Sequence, residues 1–354
     1  MEAPKGTLEV IDREAYSLFT TTKKQWALGR RIYGYHSWRE KRRITLFVLR
    51  SFKNKKQLQQ LQAYFKAYKP LPNLLEVHEG IYEIINRIFL YKDSTAAQRL
   101  AAIEDHFNMA PEYFKDSAMK TMYDPKDDRG VTVWESEELN MRASLWFHTG
   151  QRKEGFLSLF LFFGEHGLYH INFRLGHDFE GQPCIWVGTI QGYKEGLNKA
   201  KAATKKMFGY RPKNFMFFLL RQVATAMGID RIYAVSDKGF YTNTHLIRGN
   251  RSKKVQFDPF WQEMGGAECH EDDRFYRIPL EEERKTYETA KTHKRNMYRK
   301  RYEMLDRYID EIQENAAGYL LTVHKPEKPA GGAETPSFDG PETANKPLHD
   351  DSAK

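Results

Sequence analysis

One stretch limits the fold of this chain more than any other. Residues 156–163 are apolar apart from Ser158, Gly164-Glu165-His166-Gly167 follow, and residues 168–174 alternate. An apolar run, a glycine-rich break and an alternating run predict an antiparallel hairpin with a four-residue loop. In its second strand Tyr169, Ile171 and Phe173 point inward, while His170, Asn172 and Arg174 take the other face. That second face reads as solvent-exposed, or as a groove in which His170 is a general base. A third strand over 184–190, ending in Gln191-Gly192, completes an antiparallel meander.

Helical spacing flanks this meander. Leu58, Leu61, Tyr64 and Phe65 share one face of a helix over 55–68 that Pro70 and Pro72 end. Ile81, Ile84, Ile85 and Ile88 suggest another. A third runs over 94–107, with Leu100, Ile103 and Phe107 on one face and Ser94 or Thr95 as the cap. Beyond the meander, a polar helix over 193–207 is closed by Gly209. Pro212 opens a helix over 214–227 that Gly228 ends. A short strand (229–235), a helix (257–264) stopped by Gly265-Gly266, a strand (275–278) and a long charged helix from residue 281 complete the pattern.

The expected fold is α/β (α+β), a mixed, mostly antiparallel sheet. The expected divisions are an N-terminal extension (1–22), a basic helical region (23–125) and an α/β core (126–280). A long charged C-terminal helix (281–320) and a disordered Pro/Gly-rich tail (321–354) follow.

Charge is unevenly spread over the 354 residues, whose formal net charge is +9. Residues 23–56 hold twelve Lys and Arg against the single acid Glu40. A second cluster comprises Lys291, Lys294, Arg295, Arg299, Lys300 and Arg301. Such clusters suit phosphates, nucleic acid or an anionic lipid surface, or are solvated helix faces. Trp26, Tyr33, Tyr35 and Trp38 interleave the first, as a lipid interface or a packed helix would require. No helix-turn-helix, zinc-finger or RNA-recognition signature accompanies them, so specific nucleic-acid binding is not expected. Two cysteines, a polar N-terminus and no apolar run of roughly 20 residues point to a soluble chain in a reducing, cytoplasmic compartment, with peripheral contact at the inner membrane face open to it. Cys184, His166, His170 and His177 lack the spacing of a zinc motif, so no metal is expected.

Several segments occur in a telling order. They are 186–192 (WVGTIQG), 204–213 (TKKMFGYRPK), Val235-Ser236, 257–266 (FDPFWQEMGG) and 298–302 (YRKRY), with Arg99-Leu100 and 103–107 (IEDHF) upstream. Together they resemble the VirK/YbjX family, the bacterial domain of unknown function 535, over roughly residues 70 to 315. Phe107 replaces that family's tyrosine. The resemblance implies a link to virulence and the envelope, without an established reaction.

The order of elements also resembles a GNAT-type acyltransferase. That architecture implies an acyl-CoA cofactor whose pyrophosphate sits at the start of the central helix. Here Gly209, Arg211 and Lys213 would hold phosphate and Gln191 and Gly192 would line the cleft, with Glu263 or His170 as the base. The usual Gln/Arg-x-x-Gly-x-Gly/Ala pattern is absent, and 209–213 reads equally as a helix–helix turn. Glu263 reads equally as a surface partner for Lys or Arg. The alternative to an enzyme is a non-catalytic module docking through its basic clusters on an anionic membrane or a partner protein.

Overall fold

The structure, a computed structural model, describes residues 21–193, 196–240 and 256–325. The predicted N-terminal extension and C-terminal tail lie almost wholly outside these residues.

Helices begin where a side chain can serve their free N–H groups. The Thr21 hydroxyl accepts from the Lys24 N–H and starts α1 (Thr22–Tyr33). Ser37 and Glu40 form a reciprocal capping box on α2 (Trp38–Lys53). Then α3 (Lys55–Ala67) turns Leu58, Leu61 and Phe65 to the core, as their spacing predicts. Short helices α4 (Leu74–Val77) and α5 (Ile81–Asn86) lead into α6 (Ala96–Tyr113), boxed by Thr95 and Gln98, and α7 (Asp116–Met122).

The predicted meander is present and longer than expected. It comprises β1 (Val131–Ser136), β2 (Met141–Trp146), β3 (Leu157–Phe163), β4 (His166–His177) and β5 (Pro183–Gly192), all antiparallel. Phe163 pairs with His166, so the hairpin turn is Gly164-Glu165 rather than four residues. Gly164 takes φ +55°, a conformation that is nearly free for glycine alone. The chain continues through α8 (Leu197–Lys206), α9 (Pro212–Met227), β6 (Ile232–Val235), α10 (Asp258–Glu263), β7 (Ala267–Glu268) and β8 (Phe275–Ile278). The eight strands form one sheet in the order β1-β2-β3-β4-β5-β6-β8-β7. Among the described residues β5–β6 is its one parallel pair, and α8 and α9 supply the long crossover such a pair requires.

The long C-terminal helix is α11 (Arg295–Tyr319), which starts later than residue 281. The preceding segment is held in irregular form by its own contacts. Thr286 and Thr289 bond each other, Tyr210 Oη donates to Glu282 at 2.5 Å, and the Lys285 N–H donates to Tyr302 Oη at 2.8 Å.

Helices cover both faces of the sheet. Phe215 of α9 and Tyr308 of α11 pack on Trp134 of β1, at 4.9 and 4.7 Å between ring centroids. By register Trp134 shares its face with Ala143, Leu161 and Tyr169. On the opposite face Asp105 of α6 meets Arg174 at 3.3 Å. Arg174, Asn172 and His170 are therefore buried, which corrects the expectation of a solvent-exposed face. One contiguous set of buried side chains runs from Leu28 to Leu320, and the predicted boundary at 125/126 falls in the link between α7 and β1. The first basic cluster lies on α1–α3, on the α6 side of the sheet, and the second begins α11 on the other side.

Candidate functional site

The sheet's ladder is incomplete where its strand direction changes. Ile185, Trp186 and Val187 pair with Ile232, Tyr233 and Ala234. Beyond Val187, β5 continues to Gly192 paired with β4 alone, while β6 ends at Val235 alongside β8. Residues 188–192 of β5 thus have no strand partner on the β6 side among the described residues. In open α/β sheets this is where ligands bind, because free backbone groups and a helix start converge there.

One wall of the candidate site is the start of α9. Arg211 occupies the N-cap position with extended dihedrals, and Pro212 takes the first turn, where a missing N–H costs nothing. The Arg211 guanidinium pairs with Glu263 at the end of α10, and Asn214 Nδ2 donates to the same carboxylate oxygen at 2.8 Å. Burial pushes the Glu263 carboxyl up, but these bonds and the charges of Arg211 and Lys213 outweigh it, and its pKa is lowered. A carboxylate held in this way is a poor proton acceptor and a good tether. Lys213 lies over the Phe260 ring at 3.8 Å. Burial first, and then Arg211, push its pKa down to about 8, against the pull of Glu263 and Asp237. Gly209, with φ +76°, ends α8 through its N–H to the Thr204 carbonyl at 2.8 Å. A Cβ there would crowd Arg301 and Met297 of α11, so this glycine serves close packing.

The other wall carries the polar strand face. His170 lies opposite Phe160 on β3 and Gln191 on β5. Its ring stacks on Phe160 at 5.3 Å and meets Tyr193 edge-on at 5.5 Å. His170 is 5% exposed, and among the described residues neither ring nitrogen has a hydrogen-bond partner. Burial, with His148 nearby, pushes its pKa down to about 4, so the ring is neutral at neutral pH. Gln191 donates to Thr189 Oγ1 at 3.1 Å. One row further along, Ser158 Oγ donates to Asn172 Oδ1 at 2.6 Å, and Asn172 Nδ2 donates to Glu154 at 3.4 Å.

Tyr169 and His170 are neighbours in β4, and their side chains leave opposite faces. Phe215 of α9 packs on Trp134, which shares its face with Tyr169, so the start of α9 lies on the Tyr169 face. Burial raises the Tyr169 phenol pKa and the Arg211 charge opposes that rise. Gly192, opposite Tyr169, closes the strand between them. The predicted residues therefore form two groups, Arg211, Lys213 and Glu263 on one face and His170 and Gln191 on the other.

The sequence pattern missed Asn214, Glu154 and His148. Only Ser158, the polar break in an apolar strand, signalled the row that Asn172 and Glu154 share. Arg99 and His106, in the upstream segments, are buried structural groups. Arg99 clamps the Ile85 carbonyl at the end of α5, at 2.7 and 3.2 Å. His106 Nδ1 accepts from the Leu175 N–H at 3.1 Å, which leaves Nε2 to donate to Tyr123 Oη at 2.7 Å.

The family profile described as a protein of unknown function, DUF535, matches residues 36–314. The chain belongs to the DUF535 family. An uncharacterised protein of Haemophilus influenzae is 26% identical over 308 residues, covering 85% of this chain and 98% of that protein. A second one from the same organism is 27% identical over 229 residues, 64% of this chain and 74% of that protein. The uncharacterised protein YbjX of Escherichia coli is 32% identical over 137 residues, covering 36% of this DUF535 chain and 39% of YbjX. No solved structure matches.

Proposed function

We propose that this protein transfers an acyl group from a coenzyme A thioester, in the manner of a GNAT-like acyltransferase, where β5 runs on beyond its pairing with β6. The observation that carries the reading is the end of pairing at Val187–Ala234 while β5 runs on to Gly192 beside the start of α9. A pantetheine chain carries amides that can complete the ladder along 189–192, much as an added strand would. Its pyrophosphate fits the α9 start, where Lys213 supplies a partly desolvated ammonium and Arg211 a guanidinium that phosphate would share with Glu263.

In this reading His170 is the base. Its ring is neutral and, among the described residues, its nitrogens are unengaged, so one can accept a hydrogen bond from the attacking amine. As a weak base, it takes the proton only as the new carbon–nitrogen bond makes that nitrogen acidic. The amine nitrogen attacks the thioester carbonyl, the carbon–sulfur bond breaks, and the thiolate leaves as the amine proton passes to His170. A nearby Gln191 is placed to orient the thioester carbonyl.

Titration calorimetry with coenzyme A tests this. Saturable binding is expected, weakened about tenfold in Arg211→Ala and in Lys213→Ala by loss of a charged hydrogen bond. No heat and no thermal shift at millimolar coenzyme A would overturn the reading.

A further inference from the structure

The second helix carries a face that the rest of the described residues leave uncovered. Ile44, Phe47, Val48 and Ser51 of α2 point into the core. On the outward side Trp38 is 81%, Leu49 60%, Phe52 50% and Leu46 37% exposed. At 100° per residue Phe52, Trp38 and Leu49 fall within one narrow arc, with Leu46 beside it. Arg42 and Lys53 lie between Leu49 and Leu46 on the same helix wheel, and Arg39, Arg50 and Arg43 follow beyond Leu46. This is four of the ten large exposed apolar side chains among the described residues, gathered on one helix.

The charges beside the stripe are free to act outward. Among the described residues no ion pair joins Arg39, Arg42, Arg43 or Lys53 to a carboxylate. The helix's own acid, Glu40, is spent on the backbone N–H groups of His36 and Ser37, at 2.6 and 2.9 Å. An apolar arc bordered by arginine and lysine, without opposing acid, matches the headgroup region of an anionic bilayer. The apolar side chains enter the acyl boundary and the long basic ones reach back to phosphate.

We propose that α2 is a membrane-docking helix that lies in the plane of an anionic lipid surface, with Trp38, Leu49 and Phe52 inserted. The helix stays fixed to the protein by its buried side, so docking orients the whole molecule rather than freeing a peptide. The proposal is independent of acyl transfer, because none of Arg211, Lys213 or His170 takes part.

Co-sedimentation of the full chain with phosphatidylglycerol–phosphatidylcholine vesicles tests it. Binding is expected to the mixed vesicles and not to pure phosphatidylcholine, and should be lost near about 1 M salt, where screening acts within ~3 Å. The double variant Leu49→Ser, Phe52→Ser should keep its circular dichroism and melting and bind about tenfold more weakly. Brominated acyl chains should quench the wild-type tryptophan emission more than that of Trp38→Phe. Three results would overturn the proposal. One is no binding to anionic vesicles, and another is undiminished binding by the double variant. The third is a wild-type dimer in the ultracentrifuge that the double variant converts to monomer, since a second copy would then cover the stripe.

Discussion

His106 holds both ring nitrogens in hydrogen bonds within a fully buried site, so protonation there is opposed twice. Burial, and then Arg174, place its pKa well below the usual histidine range. The relay continues, because Tyr123 Oη donates to the Phe156 carbonyl at 3.2 Å. Removing that hydroxyl strands a donor and an acceptor together. Tyr123→Phe should therefore cost about 2–3 kcal/mol in urea unfolding, and a change within about 0.5 kcal/mol would deny the relay a structural role. His170 is the opposite case, since its nitrogens have no partner among the described residues. His170→Phe should keep or raise the melting temperature while removing any activity that needs a base at this position. A clear fall in melting temperature would show that the imidazole is bonded in solution.

Elements defined by local spacing were legible in the sequence. Thr95 caps α6, Pro212 and Gly228 bound α9, and the β3–β4–β5 meander stands where alternation placed it. The burial of the polar face of β4 was not legible, because it depends on distant contacts. The loop covering it is tied to α5 by Arg152 and Lys153, which pair with Glu83, the Arg152 contact spanning 69 residues of sequence. Arg87 completes the ring around this carboxylate. No local pattern announces such a junction. The site was legible as a list of residues and illegible as a geometry, because the register that sends Tyr169 and His170 to opposite faces fixes which of them meet. Removal of the central charge leaves three cations facing one another, so Glu83→Gln should cost about 3 kcal/mol. Thermal unfolding at neutral pH measures it. Gly188 belongs to the same scale. A Cβ there would collide with the Glu154 carbonyl, so Gly188→Ala should displace the covering loop and lower stability by about 1–3 kcal/mol.

For the molecule as a whole, these buried groups make stability depend on pH in two windows. Burial lowers the pKa of His78, His106, His148 and His170. The unfolded chain therefore takes up these protons first as pH falls, and stability is full above about 6.5 and lost below it. Each such histidine adds up to about 1.4 kcal/mol per pH unit to the slope, until its folded-state pKa is reached. Glu83 acts lower. Its burial favours the neutral acid, but Arg152, Lys153 and Arg87 win and bring it to about 2. Its contribution, about 3 kcal/mol, is present above about 4.5 and lost as pH falls through about 2. Melting temperature should be flat from pH 8 to about pH 7 and fall steeply below about pH 6. The His170→Phe variant should show a shallower descent, and a flat profile down to about pH 5 would contradict the histidine assignment.

The parallel β5–β6 pair also has a consequence in time. Each strand of the meander follows its neighbour closely along the chain, whereas Val187 and Ala234 are joined through two helices. Contacts between near neighbours in sequence form before those that must first close a long loop. Refolding should restore the meander's circular dichroism before the fluorescence of Trp186, which sits on the parallel pair opposite Tyr233, reaches its native value, so a newly made chain would hold its meander before its sheet is whole.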